Sequence, residues 1–304
     1  MTDRTPRVNQ DRRTGALLAT AFLLTLAPTF AQAQVVRSAV GIGVAAAQAA
    51  RDQFRLDLGG GVVSGANGSF GGARREINWD GVPAASSTPN NLAGNFFNST
   101  SPRGAVFSTP GTGFQVSGAA GDVGTGQPAA ANFGNINASY SSVFNPFTAQ
   151  RLFTPIGSNI TDVTFFVAGT NTAGLTSGFG SIFSDVDLAN VSSIQFFDGA
   201  NISLGSFFVP HFTGATAPHF SFLGVSFAAP TISRVRIVTG NAALSATTPD
   251  QNGFPNDLVV MDDFLYGEVT ANVVPEPATL GMLALGLLTL GVGARRRFAA
   301  RSKM

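Results

Sequence analysis

Short apolar runs rich in phenylalanine, separated by clusters of turn-forming residues, occupy most of the middle of this chain. Its 304 residues include 27 Phe and 36 Gly, against 2 Tyr and 1 Trp. Aromatic residues favour strands, whereas Gly, Pro, Asn and Ser favour the turns between them. Long stretches of Ala, Leu, Glu and Lys, which favour helices, are missing away from the two ends. The pattern predicts an all-β domain.

The runs that we predict to be strands follow one another at the spacing of a β-sandwich or barrel. Asp198–Asn201 separates two of them and predicts a hairpin, and Ile232–Ile237 alternates with a period of two. Leu258–Tyr266 is long and largely apolar, as expected for a central strand buried on both faces. We predict a jelly-roll-like antiparallel β-sandwich. Its strands are Glu76–Trp79, Gly104–Phe107, Gly113–Val116, Gln150–Phe153, Thr161–Val167, Gly178–Phe183, Ser193–Phe197, Ser203–Val209, Phe220–Phe227, Ile232–Thr239 and Leu258–Glu268.

Two residue types that carry much protein chemistry are almost absent. The chain has no Cys, which excludes disulfides, a thiolate nucleophile and a Cys-ligated zinc site. Its one lysine is Lys303, so Walker-type phosphate binding and Schiff-base chemistry have no residue to use. The domain must therefore be held together by packing or by a bound ion.

The charged residues are distributed unevenly. Between Gln34 and Pro277 the chain carries nine Arg against fifteen acidic residues, whereas the leader before Gln34 and the tail after Pro277 are both basic. Nucleic-acid binding requires a basic face, so the acidic middle argues against nucleic acid as a partner. An acidic surface suits solubility or the binding of divalent cations.

The first 33 residues predict a secretory signal peptide. A segment containing two adjacent arginines precedes an apolar run over 16–30. Ala31-Gln32-Ala33 has the small-x-small form after which signal peptidase cuts, so the mature chain is expected to begin at Gln34. The alternative is a membrane anchor, for which the run is short and contains a proline.

A second targeting segment is predicted near the other end. Val274-Pro275-Glu276-Pro277 precedes an apolar run over 278–294, and Arg295-Arg296-Arg297 follows it. The run has about 17 residues, near the lower limit for a single transmembrane helix. The arginines are expected to stay on the cytoplasmic side. An ordinary membrane anchor is the alternative.

This order of parts resembles the PEP-CTERM sorting signal, here assigned to residues 271–304. The resemblance implies processing by an exosortase, a transpeptidase-like membrane enzyme expected to cut near Pro275–Pro277. It also implies a bacterium with an outer membrane and an exopolysaccharide system, and a destination at the envelope surface or in the extracellular matrix. Such tails sometimes receive an ice-binding protein C-terminal domain label, which says nothing about ice binding by the middle domain.

The middle of the chain resembles an uncharacterised extracellular domain that is common among PEP-CTERM proteins. Arg75–Val116 resembles its first half, and Phe183–Asn190, Phe222–Phe227 and Val259–Gly267 resemble its second half. We therefore assign the β-sandwich to residues 75–270. Residues 34–74 are assigned to a lead-in rich in small residues and glycine. Within it, Val35–Ala50 is predicted to be a short helix or disordered, and Leu58–Gly72 a loop.

Asp262 and Asp263 are the first candidate metal ligands. Neighbouring residues on a strand face opposite ways, so one of the two carboxylates is expected to be buried and to need a partner. Calcium is one such partner, with Asp57, Asp80, Asp185 and Asp187 as co-ligands. The alternative is an arginine salt bridge or a turn at the end of the strand.

Asp185 and Asp187 form a second carboxylate pair. On a strand they share a face with Cα atoms roughly 7 Å apart, which allows a glycosidase-like pair, a cation site or a solvated edge. His211 and His219 are the only histidines, and two histidines without a third ligand make a weak metal site.

No set of residues makes a convincing catalytic site, so we expect a non-catalytic module rather than an enzyme. It is expected to bind extracellular polysaccharide, with structural calcium. Trp79, Tyr140 and Tyr266 are candidates to stack on sugar rings, although each is equally suited to the core. The alternatives are a secreted glycan hydrolase that uses Asp carboxylates and a purely structural matrix component.

Overall fold

The structure, a computed structural model, describes residues 33–272 with short gaps, together with 281 and 285–288. The gaps are 120–122, 125–126, 129–130, 215–217 and 251–254. This part of the chain is mostly β, and its sheets are antiparallel.

The strands of the described residues are numbered in chain order. They are β1 Gln34–Ile42, β2 Ser69–Phe70, β3 Arg74–Ile77, β4 Ala105–Ser108, β5 Gly113–Val116, β6 Val123–Gly124, β7 Gln127–Pro128, β8 Phe153–Ile156, β9 Ile160–Phe165, β10 Gly174–Leu175, β11 Gly178–Ser184, β12 Ser193–Phe197, β13 Ser203–Phe208, β14 His219–Phe227, β15 Arg234–Val238, β16 Val260–Gly267 and β17 Thr270–Ala271. The helices are α1 Ala45–Asp57, α2 Phe96–Ser99 and α3 Tyr140–Val143.

Two larger sheets contain most of these strands. In the first sheet, neighbours follow the order β1-β14-β11-β16-β3-β2, with β8 also paired to β16 and β5 to β8. The second sheet has the order β13-β12-β15-β9-β4. Two short ladders, β10-β17 and β6-β7, and several isolated bridges account for the other pairing among the described residues.

A core rich in phenylalanine lies between the two sheets. Phe264 of the first sheet belongs to the same buried cluster as Val163 of the second. Trp79 stacks on Phe153 within this cluster, with ring centroids 4.1 Å apart. Because both sheets contribute side chains to one cluster, the predicted all-β sandwich is confirmed, whereas its jelly-roll-like connectivity stays a prediction.

The local patterns predicted two features correctly. Asp198 joins β12 to β13 through a hairpin, and its carboxylate accepts N–H bonds from Ala200 at 2.9 Å and Ile202 at 2.8 Å. β16 is buried along its whole length, as expected for a central strand. One strand lies further along the chain than expected. The strand predicted at Gln150–Phe153 is β8, Phe153–Ile156.

Residues 34–74, predicted to be a lead-in, form part of the sandwich itself. β1 pairs with β14 along its whole length, from Gln34 opposite Phe227 to Ile42 opposite His219. α1 packs on the face of the first sheet that is turned away from the second. The small residues of this stretch allow close packing instead of marking a linker. The domain therefore begins at Gln34 and not at residue 75.

The position of α1 depends on one aromatic side chain and one glycine. Ala47, Arg51 and Phe54 are three or four residues apart, so they lie on the helix face that is buried against the sheet. Phe54 packs on Phe222 with ring centroids 5.6 Å apart. A Cβ at Gly224 would lie 2.9 Å from atoms of the Phe54 ring, so only glycine leaves room for this contact.

Both predicted targeting segments lie largely outside the described residues. Residues 1–32 and 273–280 are not described, so cleavage after Ala33 stays a prediction. Gly281 and Leu285–Leu288 are helical within the predicted membrane segment. Among the helices of the described part of the chain, none combines the length and the apolar content that crossing a membrane requires.

If α1 is part of the domain, Phe54→Ala should lower the free energy of unfolding by about 3–5 kcal/mol, because it leaves a cavity between helix and sheet. Urea unfolding of the exported protein measures this loss. The matched control is Leu56→Ala on the same helix, where the side chain is 65% exposed and the expected change is within about 0.5 kcal/mol. Equal effects of the two substitutions would contradict the packing described for α1.

Candidate metal centre

Three neighbouring strands of the first sheet place their ends at one edge of the domain. β11 ends at Ser184, which pairs with Phe220 of β14 and with Val260 of β16. β14 and β16 run antiparallel to β11, so both begin where β11 ends. The segments just outside these ends are therefore brought together. Each of them carries acidic or imidazole side chains.

The segment after β11 supplies Asp185 and Asp187. Val186, which lies between them, is fully buried in the core, and its carbonyl accepts the N–H of Phe212 at 2.8 Å. Asp185 has a φ of 72°, in the left-handed region that aspartate tolerates better than most residues. The strand ends at Ser184, so the two carboxylates lie in the irregular segment that follows it and not on one face of a strand as predicted.

The first residue of β14, His219, faces these two carboxylates. Its side chain is only 3% exposed, and its Nε2 lies 3.5 Å from a carboxylate oxygen of Asp185 and 3.3 Å from one of Asp187. Neither ring nitrogen has a hydrogen-bond partner. The ring stacks on Phe212 with centroids 4.9 Å apart, which fixes its orientation. A buried imidazole is thus held with both nitrogens unpaired.

Two further aspartates complete the cluster from the chain that leads into β16. Asp257 accepts the backbone N–H of Asp187 at 3.2 Å and that of Leu188 at 3.1 Å. Asp250 accepts the N–H of Leu258 at 3.2 Å. Ligand atoms of Asp187, Asp250 and Asp257 all lie within 4.8 Å of one another. The same limit holds for the group of Asp185, Asp187 and His219.

Burial and nearby negative charges raise the pKa values of Asp185 and Asp257. Burial is the main cause that raises the pKa of Asp185 to about 9, followed by the charges of Asp250, Asp187 and Asp257. Burial also raises the pKa of Asp257 to about 6, against the backbone hydrogen bonds from Leu188 and Asp187. The cluster therefore favours whatever neutralises it, either protons or a cation.

The donor set suits a divalent cation. Oδ2 of Asp185 is buried without a hydrogen-bond partner, as are both nitrogens of His219. Leaving such atoms unpaired costs about 1–3 kcal/mol each. Carboxylate oxygens are ligands for calcium, magnesium and manganese, and imidazole together with carboxylate binds zinc. A cation among these side chains would bind both the unpaired atoms and the clustered charge.

The first predicted metal ligands, Asp262 and Asp263, instead bind protein groups. Asp262 accepts backbone N–H bonds from Phe147 at 2.7 Å, Thr148 at 3.2 Å and Asp263 at 2.8 Å. Asp263 binds the Arg51 guanidinium at 2.6 Å. Neither aspartate belongs to a possible cation-binding group among the described residues. The structure contains the arginine salt bridge that is the alternative to calcium, between Arg51 and Asp263.

The two carboxylates also fail to face opposite ways. The hydroxyl of Thr148 contacts Asp262 at 3.3 Å and Asp263 at 3.0 Å. The pairing of β11 with β16 shifts register at this point, because Ser181 lies opposite Phe264 and Ile182 opposite Asp262. A β-bulge at Asp263 therefore turns its side chain toward that of its neighbour.

The remaining predicted ligands and sugar-stacking residues have other partners. Asp57 binds Arg37 at 2.7 Å, and Asp80 accepts the backbone N–H of Arg151 at 3.2 Å. The three aromatic residues proposed to stack on sugars are all buried, so each is a core residue, which was the alternative to sugar binding. They are Trp79, Tyr140 and Tyr266.

Sequence reasoning identified part of this centre and missed the rest. Asp185 and Asp187 were predicted, and His219 was set aside for lack of a third ligand. Asp250 and Asp257 were not predicted. They lie in the chain that precedes β16, and their spacing in the sequence does not match a known metal-binding motif. The signal that could have found them is the topology of the sheet. In neighbouring antiparallel strands, the segment that follows one strand lies beside the segments that precede its neighbours, so their side chains meet at one edge.

Comparison with known families supports one part of the sequence prediction. Residues 273–297 match the family model of the PEP-CTERM protein-sorting motif. This chain carries a PEP-CTERM sorting motif. The match includes all the predicted motif residues, Val274-Pro275-Glu276-Pro277 and Arg295-Arg296-Arg297. The motif implies a protein that is exported, anchored at the membrane before processing by an exosortase, and then placed at the cell surface.

The other comparisons say little about the sandwich. No curated protein matches the chain. A solved structure, the enzymatically active domain of tailspike protein 4 from Bacteriophage CBA120, is similar at 13% identity and a TM-score of 0.21. The likeness covers 62% of this chain and 21% of the tailspike chain. At this TM-score it carries no argument about fold or activity.

Because Asp262 is bound by protein donors, its role should not depend on metal. Asp262→Ala should lower the free energy of unfolding by about 3 kcal/mol or more, since it leaves buried N–H groups of Phe147 and Thr148 unpaired. Urea unfolding is compared in EDTA and in buffer with a divalent cation. Equal losses are expected, whereas a loss confined to the cation-containing buffer would make Asp262 a cation ligand.

Proposed function

We propose that this PEP-CTERM protein is a non-catalytic surface protein whose sandwich binds a divalent cation at the edge described above. The observation that carries the proposal is the pairing of clustered carboxylates with unpartnered ligand atoms on Asp185 and His219. An acidic cluster alone is common without an ion. A buried imidazole aimed into it with both nitrogens unpaired is not explained by packing.

The cation would join segments that are distant along the chain. Asp185 follows β11, His219 begins β14, and Asp257 precedes β16. A bound ion that links three chain segments would restrain them much as a covalent crosslink does. The chain has no cysteine with which to make such a link otherwise.

The burial of the pair Asp185 and Asp187 supports a structural role over glycan hydrolysis. Their side chains are only 9% and 7% exposed. A hydrolase needs both carboxylates to flank a sugar bond in an open cleft, with access for water. The polysaccharide partner likewise stays a prediction, because the aromatic residues proposed for it lie in the core.

The cation-binding role is tested by thermal melting of the exported protein in EDTA and with a saturating divalent cation, tried separately as Ca²⁺, Mn²⁺ and Zn²⁺. A ligand at a hundred times its Kd adds about 2.7 kcal/mol, which raises Tm by about 5–10 °C for a domain of this size. Asp185→Asn should abolish the rise. Asp52→Asn, a control on the exposed face of α1 where the side chain is 47% exposed, should retain it. The same Tm in EDTA and in every cation would refute the proposal.

Sorting is tested separately from cation binding. Replacing Pro275 and Pro277 with alanine should leave the full-length precursor in the membrane fraction, because the motif that the exosortase recognises is lost. Immunoblots of fractionated cells measure the size and location of the protein. Pro255→Ala, outside the motif, is the matched control and should be processed normally. Normal processing of the double variant would show that this motif is not the sorting signal.

A further inference from the structure

β1 forms one edge of the first sheet and lacks the features that protect exposed edges. It pairs with β14 on one side, and no described residue pairs with its other side. Its nine residues contain no proline, and their register with β14 runs without a bulge. The backbone N–H and C=O groups on the open side are therefore available to another strand. Natural edges are usually shortened, bulged or charged, which prevents such pairing.

The other edges of the two larger sheets carry these protections. β2, β4 and β5 have only two to four residues each. β13 has six residues, but its pairing with β12 shifts register between Phe196 and Phe197, and its Gly205 has a φ of 134°. Such irregularities bend a strand and interrupt its ladder. Among the described strands of these sheets, a long edge without a bulge is thus particular to β1.

The single charge on β1 does not protect its edge either. Arg37 donates hydrogen bonds to both carboxylate oxygens of Asp57, at 2.7 Å and 2.9 Å, so its charge is balanced within the chain. Val36 lies opposite the core residue Val225, so its side chain points into the sandwich, yet it is 42% exposed. The edge is therefore apolar and neutral, and the core beside it is incompletely covered.

The edge of the second sheet borders the same side of the sandwich. Phe196 of β12 contacts Phe227 of β14, and Phe165 of β9 contacts Phe179 of β11, with ring centroids 6.2 Å apart in each pair. β12 therefore lies over β14, and β13 and β1 are their outer neighbours on one side. Phe207 of β13 packs against the core but is only partly buried. This side is open in both layers.

A second copy of β1 fits the edge in one antiparallel register. A two-fold axis at Ser38 aligns all nine residues of the strand with those of the copy. Val36 then lies opposite Val40 of the second copy, on the side that faces the core. Arg37 lies opposite Ala39, so no like charges face each other directly. The strand is thus complementary to itself in shape and in charge.

The open side is large enough for a dimer. Nine strand residues span about 30 Å, and two sheets about 10 Å apart, with their side chains, make the side about 20 Å deep. The contact area is then about 600 Å² per copy, or about 1,200 Å² in total, which reaches the range of specific interfaces. In this arrangement the second sheets of both copies lie on the same side of the joined first sheet, so both β13 strands flank the axis.

We infer that the exported protein forms a symmetric dimer, in which β1 pairs antiparallel with β1 of a second copy. The inference is independent of the proposed cation binding, because none of the proposed cation ligands lies on β1.

Sedimentation equilibrium of the exported protein over a wide range of concentrations measures its assembly state. The mass should rise from that of one chain to that of a dimer as the concentration increases. The mass of a single chain at every concentration would overturn the inference. Adding EDTA should not change the result, which separates this test from that of the cation site.

Ser38→Lys tests the register, because it places two lysines opposite each other at the axis. Ser38 is exposed in the single chain, so the fold should be retained, which circular dichroism verifies. The dissociation constant of the dimer should rise more than about tenfold, since facing like charges are strongly unfavourable. Mixing this variant with Ser38→Glu should restore a dimer that contains one copy of each.

Ser142→Lys is the matched control, because Ser142 is also exposed but lies on α3 and not on a sheet edge. It should dimerise like the unmodified protein. A Ser38→Lys dimer as tight as the unmodified one, or no mixed dimer with Ser38→Glu, would contradict pairing through β1 in this register.

Discussion

Burying several carboxylates at one point is the constraint on which the described edge of this domain depends. Four aspartates meet at the edge where β11 ends and β14 and β16 begin, and His219 lies beside two of them, Asp185 and Asp187. The four are Asp185, Asp187, Asp250 and Asp257. An interior of low polarity penalises such charges unless a counter-charge is close. Hydrogen bonds from backbone N–H groups satisfy Asp257 but leave Oδ2 of Asp185 unpaired. The arrangement is therefore complete only when protons or cations are added, and an exported protein meets cations continually.

A second acidic pair in the same sheet is stabilised by protein groups alone. Asp262 and Asp263 are as deeply buried, yet backbone N–H groups, the Thr148 hydroxyl and the Arg51 guanidinium satisfy both carboxylates. These bonds join α1 and the loop at Thr148 to the centre of β16. The same residue type thus stabilises the fold directly in one place and requires a ligand in another. The number of protein donors within reach decides between the two outcomes.

The sequence predicted the fold better than the site. The positions of β15 and β16 and the hairpin at Asp198 followed from local alternation, a long apolar run and turn residues, because those signals act over a few neighbouring residues. The role of residues 34–74 was missed, since the pairing of β1 with β14 joins segments far apart in sequence. The bulge at Asp263 was missed for a related reason: it depends on register with β11 and not on the Asp-Asp pair itself. His219, Asp250 and Asp257 come together only through strand order, which local patterns do not contain.

The proposed cation lies among Asp185, Asp187 and His219. An anomalous difference map, from a crystal of the exported protein grown with Mn²⁺, tests it most directly. If the cation is bound there, the map should contain a strong peak about 2.0–2.6 Å from carboxylate oxygens of Asp185 and Asp187. A map without a peak there, in which the nitrogens of His219 and Oδ2 of Asp185 are bound to ordered water or to protein groups, would contradict it.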